Sequence, residues 1–132
     1  MKRLLIAAFS AMLLLSACSP SVEEATAAYC EDLRTLLDTL IAQDFQPAST
    51  VDDVEAYVDD VKAAYDDVAS SAEDLDQAVS DQLEAARNDF DDAVSSISGA
   101  ATVGEAFQQF ADARDAYTAA VGETLDSVNC QP

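Results

Sequence analysis

Carboxylate side chains are the most abundant groups in this sequence that could take part in chemistry. The 132 residues include 26 aspartates and glutamates, against 6 lysines and arginines and no histidine. Four adjacent pairs recur at seven-residue spacing, at Asp52-Asp53, Asp59-Asp60, Asp66-Asp67 and Glu73-Asp74. Because seven residues are close to two helical turns, the pairs are expected to form an acidic stripe along one helix.

An acidic stripe of this kind attracts cations diffusely and forms no specific site. Calcium requires six to eight oxygens that converge on one ion, commonly from a loop with a glycine at its sharp turn. No segment of the sequence has that pattern. We therefore predict a solvated acidic face and no metal site.

The sequence lacks the groups on which most hydrolytic and acid–base mechanisms depend. Without histidine there is no catalytic triad, and no serine stands in a Gly-x-Ser-x-Gly elbow. Lys62 is the only lysine outside the amino-terminal segment, and it lies among acids. Neither a glycine-rich phosphate loop nor a dinucleotide fingerprint occurs. We predict no catalytic residues, no cofactor and a protein that is not an enzyme.

The amino-terminal segment has the profile of a secretory signal. Two basic residues precede an apolar run over residues 4–15, which is too short to span a bilayer comfortably. The run ends in Leu-Ser-Ala-Cys at residues 15–18, which resembles the lipobox of bacterial lipoproteins. The resemblance implies that the thiol of Cys18 receives a diacylglyceryl group and that a type II signal peptidase removes residues 1–17. An uncleaved single-pass anchor and an ordinary signal peptide cleaved elsewhere are the alternatives.

The lipobox divides the chain into a signal peptide over residues 1–17, a lipidated cysteine with a short tether over 18–21, and one acidic helical domain over 22–130. Two or three acyl chains give lasting membrane anchorage. The protein is therefore expected to be extracytoplasmic and lipid-anchored to the cell membrane, or to an outer membrane if the host has one.

Cleavage makes the remaining chain still more acidic. Loss of Lys2 and Arg3 leaves 4 basic side chains against 26 acidic ones, a balance of −22. Such a charge repels the phosphate backbone, which excludes nucleic acid as a partner.

Cys30 and Cys130 remain as a pair once Cys18 carries lipid. Outside the cytoplasm the compartment is oxidising, so we expect a disulfide between them. Two free thiols are the alternative. A metal site made by two cysteines without histidine is less favourable still.

The first and last helices are predicted from their start signals. Ser21 with Glu24 forms a capping box before an apolar stripe that extends to about Ala42. Thr102 with Glu105 forms another before a final helix that ends near Cys130.

The region between them is predicted to be one long helix over residues 51–98. Neither glycine nor proline occurs between Pro47 and Gly99, and the acid pairs lie between apolar residues in heptad register. The apolar seam shifts by four residues after Val79, which is typical of a stutter that does not end a helix.

These helices predict an all-α fold, an elongated helical bundle with a long central helix packed by two shorter helices. Helices of about 20, 48 and 27 residues give rods of roughly 30, 70 and 40 Å, so the two short rods match the long one. The alternative is an up-down four-helix bundle with a turn near Ser70, which buries more apolar surface. Both arrangements bring the two cysteines to similar levels.

The segment Tyr29-Cys30-Glu31-Asp32-Leu33, with the lipobox before it and a cysteine near the carboxyl end, resembles small acidic lipoproteins of high-GC Gram-positive bacteria. Those proteins are rich in alanine and aspartate and are helical. The resemblance brings no activity with it.

Two classes of function remain open. The first is a non-catalytic helical interaction or scaffold module, held at the membrane by its lipid, with an envelope protein as partner. The second is an extracytoplasmic cation- or solute-binding lipoprotein. Phe45 and Tyr57 fall outside the apolar seams and are candidate partner contacts.

Overall fold

The computed structural model describes residues 21–42, 51–75, 81–97 and 103–130, which form four helices and no strands. The helices are α1 (Val22–Ile41), α2 (Val51–Asp74), α3 (Asp81–Ile97) and α4 (Val103–Ser127). The prediction of an all-α helical bundle is confirmed. The predicted signal peptide and lipobox lie outside the described residues, as does Phe45.

α1 begins with the predicted capping box. Ser21 Oγ accepts the backbone N–H of Glu24 at 3.2 Å, and the Glu24 carboxylate accepts the N–H of Ser21 at 3.0 Å. These reciprocal bonds pair two groups that a helix start otherwise leaves unsatisfied. They also fix the start of α1 at Val22, four residues after Cys18.

α2 follows the predicted heptad pattern but buries a wider stripe. The acid pairs at positions b and c are exposed. The described residues at position a are all buried, and those at position d are buried except Leu75, which is partly exposed. Position g is buried as well, at Tyr57, Ala64 and Ser71. Three buried positions per heptad are typical of a helix in a globular bundle, where more than one neighbour covers it.

Tyr57 is part of the core, so its prediction as a partner contact is wrong. Its side chain is 2% exposed. Its hydroxyl donates to the carbonyl of Leu40 at 2.9 Å, and its ring meets those of Phe90 and Phe110 edge-on. The sequence placed it beside a two-position seam, whereas the real stripe includes position g.

α2 does not continue into α3. The N–H of Leu75 bonds the carbonyl of Ala72 at 3.2 Å, a tight closing turn. The ring centroids of Tyr57 and Phe90 lie 6.3 Å apart. One continuous helix would separate those residues by about 50 Å at 1.5 Å per residue.

The predicted long central helix is therefore wrong, and the four-helix alternative is correct. α2 ends at Asp74 and α3 begins at Asp81, so the chain does not reverse at Ser70, which is within α2. Ser71 is helical too, and its hydroxyl shares its one hydrogen between the Asp67 carbonyl, at 2.7 Å, and the Asp32 carboxylate. Folding back lets both segments face one core, with α2 packed mainly on α1 and α3 mainly on α4, which removes more apolar surface from water than an extended rod.

Consecutive helices run antiparallel, as in an up-down bundle. Along each pair of neighbouring helices, the residue numbers rise on one helix as they fall on the other. The contacts are Asp32–Ser71 and Leu40–Tyr57 for α1 and α2, Tyr57–Phe90 and Tyr65–Arg87 for α2 and α3, and Gln82–Glu123 and Phe90–Phe110 for α3 and α4.

Aromatic rings from three helices form the centre of the core. Phe90 of α3 lies 5.5 Å from Phe110, 5.7 Å from Tyr117 and 6.3 Å from Tyr57, measured between ring centroids. All four side chains are buried. Tilted and edge-on pairs of this kind are the favoured aromatic geometries.

The predicted apolar face of α1 is buried along its middle, where Leu33, Leu36 and Leu40 are inaccessible to water. The prediction fails at the two ends of the helix. Val22 is 79% exposed and Ile41 is 60% exposed, although periodicity assigned both to the buried face. None of the described helices has the length and apolar content needed to cross a membrane.

Candidate functional site

The structure joins Cys30 of α1 to Cys130, three residues beyond α4. Their sulfurs are 2.03 Å apart and their Cα atoms 5.5 Å apart. The disulfide closes a sequence separation of 100 residues and ties the beginning of the bundle to its end. These are the two cysteines that the sequence analysis paired.

A Schellman motif at the end of α4 positions Cys130. Asn129 has a φ of 56°, the N–H of Cys130 bonds the Leu125 carbonyl at 3.1 Å, and the N–H of Asn129 bonds the Asp126 carbonyl at 3.2 Å. Asparagine tolerates the left-handed conformation that this cap needs. The motif was not predicted from the sequence, where its signal is Asn129 directly after the apolar Val128.

An open groove of about 410 Å³ lies beside the disulfide. It is lined by Val22, Ala27 and Arg34 of α1 as well as by both cysteines. A small reductant therefore has access to the bond from this side.

A second groove, here called the α1/α2 groove, runs along the surface between those two helices. Two sections of about 370 and 210 Å³ share Asp67 as a lining residue. From the α1 side it is lined by Ala28, Asp32, Thr35, Thr39 and Ala42, and from the α2 side by Asp60, Ala63, Asp67, Ser70 and Asp74, with the buried residues Tyr57, Ala64 and Ser71 beneath.

The α1/α2 groove offers mainly hydrogen-bond acceptors. The hydroxyls of Thr35 and Thr39 donate to carbonyls of their own helix at 3.0 and 2.7 Å. Ser71 donates to the carboxylate of Asp32. These three donors are used within the protein and the carboxylates only accept, which leaves the hydroxyl of Ser70 beside four carboxylates, so the groove favours a ligand that brings donors and positive charge.

The acidic residues do not converge on a metal site in the part of the chain that the structure describes. No three cysteine, aspartate or glutamate side chains there come together closely enough to hold an ion. The pairs on α2 project from every second turn, so their carboxylates are spread along the helix.

Two polar atoms near the aromatic core have no hydrogen-bond partner among the described residues, Tyr117 Oη and Arg87 Nε. The guanidinium of Arg87 lies 4.7 Å from the centroid of the Tyr65 ring, and its Nε is 3.7 Å from the Asp91 carboxylate. This cation–π contact links α2 to α3.

Replacing Tyr117 and Tyr57 by phenylalanine is expected to shift stability in opposite directions. Tyr117→Phe removes a buried hydroxyl that has no partner, so the free energy of unfolding should rise by about 1 kcal/mol. Tyr57→Phe removes the bond to Leu40 and should lower it by about 1 kcal/mol. Urea unfolding of both variants measures this. A loss of stability in Tyr117→Phe would show that its hydroxyl is paired.

The raised pKa values of all four tyrosines predict a loss of stability in alkali. Burial raises the pKa of Tyr57 to about 12, and burial also raises the pKa values of Tyr29, Tyr65 and Tyr117 above their usual 10. The unfolded chain then loses these protons first, so stability is complete below pH 10 and falls as pH rises through the folded values. Each tyrosine that stays protonated costs about 1.4 kcal/mol per pH unit.

The urea midpoint measured at several pH values tests this, with tyrosinate absorbance as the direct readout. We expect the midpoint to decline from about pH 10 and tyrosinate to appear together with unfolding. A constant midpoint from about pH 10 to 12 would contradict the burial of these rings.

No protein-family model, curated protein or solved structure matches the chain with significant similarity. The assignment of function therefore depends on the residues and geometry of this chain.

Proposed function

We propose that the protein is an extracytoplasmic lipoprotein, anchored by Cys18, whose helical bundle is a non-catalytic interaction or scaffold module. The α1/α2 groove is the observation that carries this proposal. It is long, open and lined by two helices, which suits a polypeptide partner. An envelope protein is the partner that this location implies.

The position of Cys18 supports an outward-facing role for the bundle. Ser21 is the third residue after Cys18, so at most about 10 Å of chain joins Cys18 to the cap of α1. The end of the bundle at which α1 begins then lies next to the membrane. The α1/α2 groove follows α1 away from that end.

Site-specific photo-crosslinking in intact membranes tests the interaction. A photoreactive residue would replace Ala63 in the α1/α2 groove, with the exposed Ala85 of α3 and Ala119 of α4 as comparison positions. We expect a discrete adduct with another envelope protein from at least one position. Membrane-bound protein that gives no adduct from any of the three would contradict an interaction role.

A further inference from the structure

We propose that the α1/α2 groove binds a basic helix of a partner protein that carries lysine or arginine at every seventh position. The inference deepens the proposed interaction function and rests on it. Its basis is the match between the carboxylate spacing along the groove and the repeat of a helix laid beside it.

The spacing comes from one residue of each acid pair. Asp60, Asp67 and Asp74 occupy successive c positions of α2 and line the groove, so they are about 10.5 Å apart along the helix axis. A partner helix has the same rise per residue. Cations at seven-residue intervals on that helix therefore meet the three carboxylates in turn, over a length of about 21 Å.

The floor of the groove permits close approach of a helix. Ala28, Thr35, Ala42 and Ala63 are all exposed lining residues with small side chains. Packed helices need axis separations of about 8 to 10 Å, and small side chains at the contact favour the lower end of that range.

The acidity of the groove decides the sign of the partner's charge. The groove is lined by four carboxylates, and the hydroxyls of Thr35, Thr39 and Ser71 beside them donate within the protein. The cations of these two helices, Arg34 and Lys62, do not line the groove. An anionic or neutral helix would leave these carboxylates without counter-charge, whereas a basic one pairs with them.

The test compares two triple variants of the full-length protein in neutral detergent. The groove variant is Asp60→Asn with Asp67→Asn and Asp74→Asn. The control variant is Asp59→Asn with Asp66→Asn and Glu73→Gln, which removes the same charge from the preceding position of each pair. None of the control positions lines the groove.

The probe, here called the heptad peptide, is a fluorescent alanine- and glutamine-based peptide with lysine at every seventh position. A second peptide has the same composition with the lysines shuffled. Fluorescence anisotropy at low ionic strength measures the affinity, and circular dichroism measures whether the peptide becomes helical on binding.

We expect the groove variant to bind the heptad peptide about tenfold more weakly than the unchanged protein, and the control variant less than about twofold more weakly. The unchanged protein should prefer the heptad peptide to the shuffled one, and the bound peptide should gain helicity. Equal weakening by both variants would overturn the inference, because it indicates a general polyanion. Equal affinity for both peptides, binding without helix formation, or no binding would overturn it too.

These outcomes are distinct from failure of the proposed function. A groove variant that crosslinks to its envelope partner as strongly as the unchanged protein overturns the basic-helix inference and leaves the interaction role intact. Absence of crosslinks from every tested position contradicts the interaction role itself, even where the peptide binds as expected.

Discussion

Reduction of the Cys30–Cys130 disulfide is expected to lower the free energy of unfolding by about 4 to 5 kcal/mol. The bond closes a separation of 100 residues, so in the chain-entropy model its removal frees nearly the whole unfolded domain. For a domain of this size the melting temperature should fall by on the order of 20 °C. Thermal unfolding followed by circular dichroism, with and without reductant, measures the effect.

Cysteine variants separate loss of the bond from side effects of the reductant. Cys30→Ser and Cys130→Ser should each melt near the temperature of the reduced protein, and neither should respond further to reductant. The groove beside the disulfide makes reduction of the native state feasible. Wild-type melting that is unchanged by reductant would mean that the thiols are free or that the bond does not affect stability.

Phe90→Ala is expected to cost about 3 to 5 kcal/mol, the other large effect on stability. Phe90 is 1% exposed and contacts three aromatic rings that come from α2 and α4. Truncation leaves a cavity between helices that cannot all close around it. The lost burial of the ring and the cavity left behind therefore both lower the free energy of unfolding. The urea midpoint measures the loss.

Phe107→Ala is the matched control because it removes the same side chain from the partly exposed edge of α4. We expect it to cost less than half as much as Phe90→Ala, since part of that ring already contacts water. Similar losses for the two variants would contradict the central position of Phe90 in the bundle.

Local signals in the sequence predicted the helices well. The Ser21–Glu24 capping box marks the start of α1, and the heptad repeat identifies the exposed acid pairs of α2 and two of its three buried positions. Both signals act within one or two turns, where neighbouring residues decide the structure. They carry little information about which helix lies against which.

The turn between α2 and α3 was harder to predict, because no glycine or proline marks it. The four-residue shift of the apolar seam after Val79 was interpreted as a stutter, although it falls in the interval between the two helices. A change of register is also expected where one helix ends and another begins. Burial of Tyr57 against Phe90 stabilises the folded-back arrangement, and that contact joins residues far apart in the chain.

The α1/α2 groove illustrates the same limit. Its acidic residues were visible as heptad pairs, but the sequence did not distinguish the two members of each pair. The structure separates Asp60, Asp67 and Asp74, which line the groove, from Asp59, Asp66 and Glu73, which do not. That distinction depends on where α1 packs against α2.

Cys18→Ala is expected to abolish the lipid anchor, because the thiol that would carry the diacylglyceryl group is gone. Fractionation of cells should then show the variant released from membranes or retained only with its signal segment uncleaved. A variant that loses residues 1–17 and still remains firmly on membranes would contradict anchorage through Cys18.

Intact-mass spectrometry of the protein extracted from its host membrane tests the central claim of lipid anchorage most directly. We predict a polypeptide that begins at Cys18, is heavier than its sequence by the mass of the attached lipid, and contains one disulfide. A polypeptide that retains residues 1–17, or one that carries an unmodified thiol at Cys18, would contradict it.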